Sequence, residues 1–379
     1  MTSTPQTRQS FAQLIAVTPA LGRIAPLNVL ASDLPARTLF HAGPPFEDIA
    51  EIPAPVKNSI VAAAVHEGWA TTADDTWALV EQKKLYLMPA QDIGMVTPLA
   101  YVVGPGVFCI EVCDANAPSQ RALSPINDGP LPDALRFGTG RPAGLTLLRT
   151  LSTSVGADLS QHVKSGTPLL PMFAHAIVNG DDLHGHVAAL QAHVFDMFSA
   201  DISATTEKYV TDANQFVLNI VMATAALMIG AGAGVSGSDM VVAAGGNGVQ
   251  LGYKLASAPD TWVCVPAYRP VGPKFPNASQ SIALPAIGDS AVIDALGFGA
   301  ANLRFCPTLE GALAGHIDTA FFTDTAHQAF IGPHPDIQMP GLHVGLDLTR
   351  PRTCLGIMLG MVEERGVDGI IGRGVAPWA

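Results

Sequence analysis

The stretch NGDDLHGH, Asn179–His186, brings two carboxylates and two imidazoles together within six residues. Histidine titrates near neutral pH, so His184 could move a proton, with Asp181 close to it in the sequence. These two are candidate catalytic residues, and Asn179 and His186 are candidate substrate-binding residues. Histidine and aspartate are also common metal ligands. Because the spacing matches no H-E-x-x-H motif, no bound metal is predicted, and a metal site stays an alternative.

An uncharged run, Gln215–Ser238, leads into the glycine-rich sequences GAGVSGS and GGNG. Glycines expose backbone N–H groups, which can form a nest for an anion. This predicts a buried helix that ends at a polar pocket for a small anionic substrate. The residues predicted to bind the substrate there are Ser236, Ser238, Asn247 and Gly248. The G-x-G-x-x-G spelling does not indicate a dinucleotide site, because a helix precedes it instead of a strand. A packing turn is the alternative.

Amide side chains lie at the start of the predicted long helix. Gln215 and Asn219 are four residues apart and would share one helical face, and Asn214 is next to them. Buried amides need hydrogen-bond partners. The three side chains therefore either cap neighbouring backbone groups through hydrogen bonds or bind a substrate amide or carboxylate. Substrate binding is the prediction.

Two more polar side chains lie at predicted turns. His41 ends a predicted strand before a Gly-Pro-Pro turn, a place where site residues often gather, and is a third candidate catalytic residue. Asp289 follows a glycine in AIGDSAV and is either a helix cap or a substrate-binding carboxylate. The chain has no G-x-S-x-G elbow, and no cysteine has an adjacent histidine. A covalent protein nucleophile is therefore not indicated.

Charged residues are scarce and mostly acidic. The formal net charge is −12 and no cluster of Lys and Arg exists, which argues against nucleic acid. Charged residues make up 14% of the chain against about 25% in typical domains, so burial against other chains, in a homo-oligomer or a complex, is expected. No apolar signal segment is present at the N-terminus, and polar residues and glycines interrupt the apolar run 216–237. A cytoplasmic protein without membrane contact is expected.

Hydrophobic periodicity and turn residues predict an α/β (α+β) fold. The predicted helices are at 8–21, after Pro53 and Pro55, at 73–84, from Leu183 to Phe198 and from Val210 to Met228. Strands are predicted at 94–103 and 106–112. The 379 residues exceed one ordinary core. We therefore expect an α/β unit at 1–140, a helical domain at 141–230 and a second α/β unit at 231–379.

Six sequences occur in the order found in the YlbE/YahG-type family, which this chain resembles over nearly its whole length. They are LFHAGPP (39–45), NGDDLHGH (179–186), NQFVLN (214–219), SGSDMVVAAGGNG (236–248), IGDSA (287–291) and IIGRGVAP (370–377). One branch of that family resembles a subunit of the oxamate carbamoyltransferase of anaerobic allantoin degradation. The resemblance implies two α/β units with a small helical domain, in agreement with the division above.

The resemblance also implies a carbamoyltransferase component that moves a carbamoyl group between an N-carbamoyl amide, such as oxalurate, and phosphate without a cofactor. Expected partners are an oxalurate- or oxamate-like anion, phosphate or carbamoyl phosphate, and an FdrA-like subunit. Three basic residues could neutralise phosphate, namely Arg269, Lys274 and Arg304. An amide or ureido hydrolase and a non-catalytic scaffold subunit stay alternatives. The chain departs from the family in its polar segments, for example with Asn214 where relatives often carry Asp, so the exact substrate is not implied.

Overall fold

The computed structural model describes residues 3–130 and 132–378, and short helices and strands alternate along them. The helices are α1 (Pro5–Ala16), α2 (Leu27–Leu30), α3 (Ala54–His66), α4 (Ala73–Glu81), α5 (Pro142–Thr150), α6 (Gly156–His162), α7 (Leu170–Val178), α8 (Ala188–Gln191), α9 (Ala204–Asp212), α10 (Leu218–Gly230), α11 (Ala291–Leu296) and α12 (Pro307–Leu313). The strands are β1 (Pro19–Pro26), β2 (Thr38–His41), β3 (Tyr86–Pro89), β4 (Phe108–Asp114), β5 (Ala117–Pro125), β6 (Val241–Asn247), β7 (Gln250–Leu255), β8 (Ala258–Pro266), β9 (Ile287–Gly288), β10 (Phe330–Gly332), β11 (Val344–Leu346), β12 (Gly356–Val362) and β13 (Ile370–Pro377). This confirms the predicted fold class.

In the described residues, the strands form several small sheets instead of one large sheet. Strands in the orders β1-β4-β5 and β8-β7-β6-β9 form two antiparallel sheets. β2 and β3 pair in parallel, with His41 opposite Pro89. β12 and β13 form a long antiparallel hairpin, with Gly356 opposite Pro377, and β10 pairs with β11. The end of β2 carries the predicted site residue His41, and β13 carries the sequence IIGRGVAP.

Helix α10 lies at the centre of the core. It contacts β4 and β5 from the first part of the chain, and β6 and α11 from the last part. Its two buried polar side chains are satisfied, since Thr224 Oγ1 donates to Ile220 O at 2.8 Å and Asn219 bonds to a neighbouring loop. One continuous hydrophobic cluster includes Leu14, Phe173 and Val292, one from each predicted unit. The division at residues 140 and 230 stays a prediction.

The N-terminal helix is shorter than the predicted 8–21. α1 begins after Thr4, whose side chain accepts a hydrogen bond from Thr7 N, and it ends at Ala16. Pro19 restricts the residue before it to an extended conformation, so strand β1 follows immediately. α3 and α4 confirm the helices predicted after Pro53 and at 73–84.

The strand predicted at 94–103 is wrong. That segment is made of turns and isolated bridges. The backbone N–H of Thr97 donates to the carboxylate of Asp289 at 3.0 Å, where a strand would donate to a neighbouring strand. The strand predicted at 106–112 is confirmed as β4.

The helix predicted from Leu183 to Phe198 is also wrong. Leu183 has a φ of 67°, outside the helical region. The carboxylate of Asp182 accepts hydrogen bonds from the backbone N–H groups of His184 at 3.2 Å, Gly185 at 3.0 Å and His186 at 2.6 Å. A side chain that captures backbone N–H groups competes with helical hydrogen bonds. Only α8 and a 3₁₀ turn at 194–197 therefore form.

The long helix predicted from Val210 to Met228 is broken into α9 and α10. Ala213 leaves the helical conformation with a ψ of 73°, and the side chain of Gln191 accepts a bond from Val217 N at 3.3 Å. Asn214 and Gln215 consequently lie in the turn between the helices, and Gln215 does not share a helical face with Asn219. Within residues 3–130 and 132–378, no helix has both the length and the apolar character needed to span a bilayer.

Candidate functional site

A cavity of about 340 Å³ lies where the start of α10, the β12–β13 hairpin and the loop before α5 meet. Its volume falls within the range of about 300–1,000 Å³ that is usual for small-molecule sites. We call it the His184 cavity. Its polar lining residues are Asn127, Arg136, His184, Asn214, Gln215, Asn219, Ser290 and Arg373.

A buried carboxylate orients the imidazole of His184. Nδ1 lies 2.8 Å from Asp294 Oδ2, and Asp294 also accepts from Ala300 N at 2.8 Å and Met358 N at 3.1 Å. Because an ionised carboxylate only accepts hydrogen bonds, Nδ1 carries the proton of the neutral ring. Nε2 is then the basic nitrogen and the one that a ligand in the cavity can meet.

Asp181 belongs to the framework of the loop between α7 and α8. Its carboxylate accepts from Ala189 N at 3.1 Å and Leu190 N at 2.9 Å, at the start of α8, and from His186 Nδ1 at 3.0 Å. Burial raises the pKa of the neighbouring Asp182, against the three N–H bonds that this carboxylate accepts. Asp181 and His186, predicted as site residues, do not line the His184 cavity.

Two arginines line the cavity, and their partners differ. Arg136 forms an ion pair with Asp128 and donates to Gly129 O at 2.6 Å. Arg373, on β13, donates to Gly185 O over a long 3.4 Å contact. No carboxylate in the described part of the chain forms a salt bridge with Arg373, so it supplies an uncompensated positive charge.

The amides of the cavity fall into two groups. The side chains of Asn214 and Gln215, and the hydroxyl of Ser290, line the cavity without a hydrogen bond to another described residue. Asn219 is different, because Nδ2 donates to a backbone carbonyl at 2.8 Å and Oδ1 accepts from Asn127 at 2.9 Å. Asn219 therefore supports the loop before α5, while the turn residues are available to a ligand.

The other predicted catalytic histidine, His41, lies in a separate and closed place. Its Nδ1 donates to Ala42 O at 2.9 Å, and its ring packs on Phe46 with 4.7 Å between ring centroids. Burial lowers the pKa of His41 to about 4. The space between His41 and its neighbours has no volume for a ligand.

Asp289 joins three segments around the same turn. Its carboxylate accepts from Gly43 N at 2.9 Å, Gln91 Nε2 at 2.6 Å and Thr97 N at 3.0 Å. Burial raises the pKa of Asp289 to about 7, against the three N–H bonds. We call His41, Asp289 and these donors the His41 region. Asp289 is not a residue of the His184 cavity, although the next residue, Ser290, lines it.

The glycine-rich segment lies outside the His184 cavity. Ser238 is buried and accepts from Ser10 Oγ at 2.8 Å, whereas Ser236 is exposed. Asn247 Oδ1 accepts from Val249 N at 2.9 Å and thereby closes the turn between β6 and β7. Gly248 has a φ of 86° in that turn, which favours glycine. The geometry here is that of a packing turn, the alternative to an anion nest.

A slightly larger cavity, of about 390 Å³, lies between β5 and the second half of α10. None of the predicted site residues lines it. Its arginine, Arg121, is paired with Glu111 at 2.9 Å. The chemistry-bearing side chains thus converge in the smaller cavity.

Other predicted residues lie elsewhere. Asn179 is exposed and caps α7 by donating to His175 O at 2.8 Å. The basic residues proposed for phosphate have partners of their own: Arg269 pairs with Glu364, Lys274 donates to Ser281 O, and Arg304 pairs with Asp324. None of these side chains lines the His184 cavity.

Four residues of the site were not predicted from the sequence, namely Asp294, Arg136, Ser290 and Arg373. A signal existed for two of them, because Ser290 lies in IGDSA and Arg373 lies between two glycines in IIGRGVAP. Asp294 had no signal, since it is 110 residues from His184 in the chain.

The fold and the cavity define an α/β protein whose polar cavity can hold a small anion and exchange a proton with it. Nε2 of His184 can accept the proton, Arg373 can bind the negative charge, and the free amides can donate and accept hydrogen bonds. Among the described residues, no group of three or more His, Cys, Asp or Glu side chains could hold a metal ion.

A sequence profile of the family described as oxamate carbamoyltransferase subunit AllG matches residues 85–290. The chain therefore belongs to this family, which confirms the resemblance found in the sequence.

One relative in sequence agrees with this assignment, and one solved structure shares the fold. The chain is 26% identical to the oxamate carbamoyltransferase subunit AllG of Escherichia coli (strain K12), in an alignment that covers 98% of this chain and 88% of the relative. The crystal structure of a conserved protein of unknown function from Enterococcus faecalis V583 superposes with a TM-score of 0.89, over 98% of this chain and 93% of the other. The two sequences are 21% identical, so this likeness shows the fold alone.

Proposed function

We propose that this chain is a subunit of a carbamoyltransferase, and that its His184 cavity binds the small acid whose nitrogen gains or loses the carbamoyl group. One observation carries the proposal. In a chain of the AllG family, a carboxylate-oriented histidine, an unpaired arginine and free amides line one cavity. A cytoplasmic location, a homo-oligomeric assembly and an FdrA-like partner belong to the same proposal.

The proposed reaction moves the carbamoyl group of oxalurate to phosphate and gives oxamate and carbamoyl phosphate. A phosphate oxygen attacks the carbamoyl carbon, a tetrahedral intermediate forms, and the bond from that carbon to nitrogen breaks. The leaving nitrogen gains the proton that phosphate loses. Such a transfer requires two substrates in contact and hydrogen-bond donors for the oxyanion. It requires no protein nucleophile.

Each free side chain of the cavity has a role in this chemistry. His184 Nε2 passes the proton between phosphate and the leaving nitrogen. Asp294 keeps the proton of the neutral ring on Nδ1 and stabilises the imidazolium while Nε2 is protonated. The amides of Asn214 and Gln215 hold the amide and carbonyl groups of the substrate. Arg373 binds its carboxylate.

The test is a turnover assay with the purified chain, alone and combined with the products of neighbouring genes. We expect carbamoyl phosphate to form from oxalurate only when phosphate is present. His184→Ala lowers the rate about 10²–10⁴-fold, the usual effect of removing a general acid–base. His193→Ala is the matched control, because His193 is half exposed and bonds to the exposed Asp196.

Equal rates in the two variants, with circular dichroism confirming their folding, contradict a role of His184 in proton transfer. Cleavage of oxalurate at the same rate without phosphate indicates a hydrolase. Full activity of a complex that contains the His184→Ala chain indicates a scaffold subunit. The three results are distinguishable in one set of assays.

A further inference from the structure

We infer that the His184 cavity of this chain binds the carboxylate-and-amide half of the reaction, an oxamate-like monoanion, and that a partner subunit supplies the positive charge for the phosphoryl group. This inference rests on the function proposed above and deepens it. It divides the two substrates between two chains.

The first argument for this inference comes from the charges around the cavity. The buried Arg136 is compensated by Asp128. The carboxylate of Asp294 does not line the cavity, and it accepts hydrogen bonds from His184 Nδ1, Ala300 N and Met358 N. In residues 3–130 and 132–378, Arg373 is the one cationic lining group without an acidic partner. The cavity is therefore matched to a single carboxylate, whereas a phosphoryl group carries a charge of about −1.5 to −2 at pH 7.

The second argument comes from the geometry of Arg373, whose guanidinium fits a carboxylate. Its guanidinium makes a single long contact, 3.4 Å to Gly185 O, in the described part of the chain. The other N–H donors of its planar fork are left for a ligand, and this fork matches a carboxylate with two parallel hydrogen bonds. Gly372 and Gly374 on either side approach the segment 271–273 so closely that a Cβ at either position would lie 2.4–2.5 Å from a backbone oxygen. The strand that carries Arg373 is thereby held in place.

The third argument comes from the two amide side chains in the turn between α9 and α10. Asn214 and Gln215 each offer an amide N–H₂ and a carbonyl to the cavity, and neither side chain has a hydrogen bond to another described residue. A primary amide next to a carboxylate has the complementary donors and acceptor. Arg373 and these two amides therefore fit an acid of the oxamate type better than a phosphate.

Two exposed apolar side chains beside the cavity form the surface on which the proposed partner subunit would dock. Phe275 lines the cavity and is 41% exposed. Val271, in the same segment, is 49% exposed and pairs with Val375 of β13, two residues from Arg373. A subunit docked on Val271 and Phe275 would reach the substrate and could supply cationic groups or backbone N–H groups to the phosphate.

The experiment is isothermal titration calorimetry on the full chain without partners. The three probes are oxamate, its neutral isostere oxamide, and inorganic phosphate. We expect oxamate to bind at least tenfold more tightly than either of the others. Arg373→Gln should weaken oxamate binding at least tenfold, because charge-assisted hydrogen bonds are the strong ones. Arg352→Gln is the matched control, since Arg352 is exposed and outside the cavity, and it should bind oxamate as the wild type does.

Three results overturn the inference: phosphate displacing oxamate at similar concentrations, Arg373→Gln binding oxamate unchanged, or no oxamate binding to the chain. If Arg373→Gln does not fold, Arg373→Lys replaces it. That variant keeps the charge and loses the fork, and an intermediate oxamate affinity is expected. The proposed function fails separately, in the turnover assay of the complex with and without phosphate. Oxamate binding to the isolated chain therefore tests the inference, and turnover by the complex tests the proposed function.

Discussion

His184 and His41 are both almost fully buried, with 4% and 2% of their surface exposed, and a buried aspartate lies near each. Their surroundings differ in two respects. Asp294 bonds directly to His184 Nδ1, whereas Asp289 bonds to the turn after His41, and Nδ1 of His41 donates to a backbone carbonyl. His184 lines a cavity, and His41 has no free space beside it. Burial near an acid is therefore not sufficient for proton transfer, which needs an oriented ring and room for a substrate.

The largest expected effect tests the orientation of His184. Asp294→Asn keeps the size of the side chain but can present an N–H₂ group to Nδ1, which favours the tautomer with the proton on Nε2. Nε2 then no longer accepts a proton, and kcat should fall by up to about 10⁴-fold, the effect of the same change in a serine protease triad. His41→Gln should retain the wild-type kcat. If both variants lose activity to the same degree, the distinction between the two regions fails.

A smaller effect is expected from the free amides of the cavity. Asn214→Ala and Gln215→Ala each remove one or two hydrogen bonds to the substrate, worth about 0.5–1.5 kcal/mol each. In the turnover assay, kcat/KM should fall about three- to tenfold in either variant. Asn179→Ala is the control, because Asn179 is exposed and bonds to the end of its own helix. A loss in Asn179→Ala that equals the other two contradicts the placement of the site.

The His41 region should affect how the free energy of unfolding depends on pH. The pKa of Asp289 is raised to about 7, so the folded state holds its proton between pH 4 and 7, and this group makes the free energy of unfolding fall as pH rises. The pKa of His41 is lowered to about 4, so the unfolded state holds the proton between pH 4 and 6.5, and this group makes the free energy of unfolding rise with pH. The two contributions oppose each other.

Replacing one group at a time separates them. Relative to the wild type, Asp289→Asn should make the slope of the free energy of unfolding against pH more positive. His41→Gln should make it more negative. Each change approaches about 1.4 kcal/mol per pH unit where one proton differs between the states. Urea unfolding at several pH values between 4 and 7 measures both slopes, and slopes that shift in the same direction contradict the assignment.

The smallest effect concerns the glycine-rich segment. Ser238→Ala leaves the buried hydroxyl of Ser10 without its 2.8 Å partner and should lower the free energy of unfolding by about 1 kcal/mol. The turnover rate should stay at the wild-type value, because Ser238 does not line the His184 cavity. Ser236→Ala, at an exposed position, should change neither quantity. A loss of turnover in either variant without a loss of stability supports the anion nest predicted from the sequence.

The fold could be predicted where local signals act alone. Pro53 and Pro55 correctly indicated α3, the helix predicted at 73–84 is α4, and hydrophobic periodicity with turn residues indicated the fold class. The prediction was wrong where a side chain takes the backbone N–H groups of a predicted helix. The amphipathic spacing after Leu183 is genuine, yet the carboxylate of Asp182 captures the N–H groups that a helix would need. Such a choice between side-chain and helical hydrogen bonds is not visible in periodicity.

The site could be predicted in part for the same reason. The loop sequence NGDDLHGH singled out His184, and the turn residues Asn214 and Gln215 were named, but for a helix that does not exist there. The partner of His184 could not be found, because Asp294 belongs to an apolar stretch, AVIDAL, that reads as an ordinary buried helix. Tertiary folding alone brings this carboxylate to the ring.

Helix α10 has a consequence for how this chain can evolve. It contacts β4 and β5 from the first part of the chain and β6 and α11 from the last part. Without α10, the hydrophobic core would be incomplete on both of these sides. Recombination that exchanged only the first or the last third of the gene would leave this helix facing a foreign surface. We therefore expect relatives to inherit all three parts together. Fragments split at residue 230 should recover a native structure only when both halves are present.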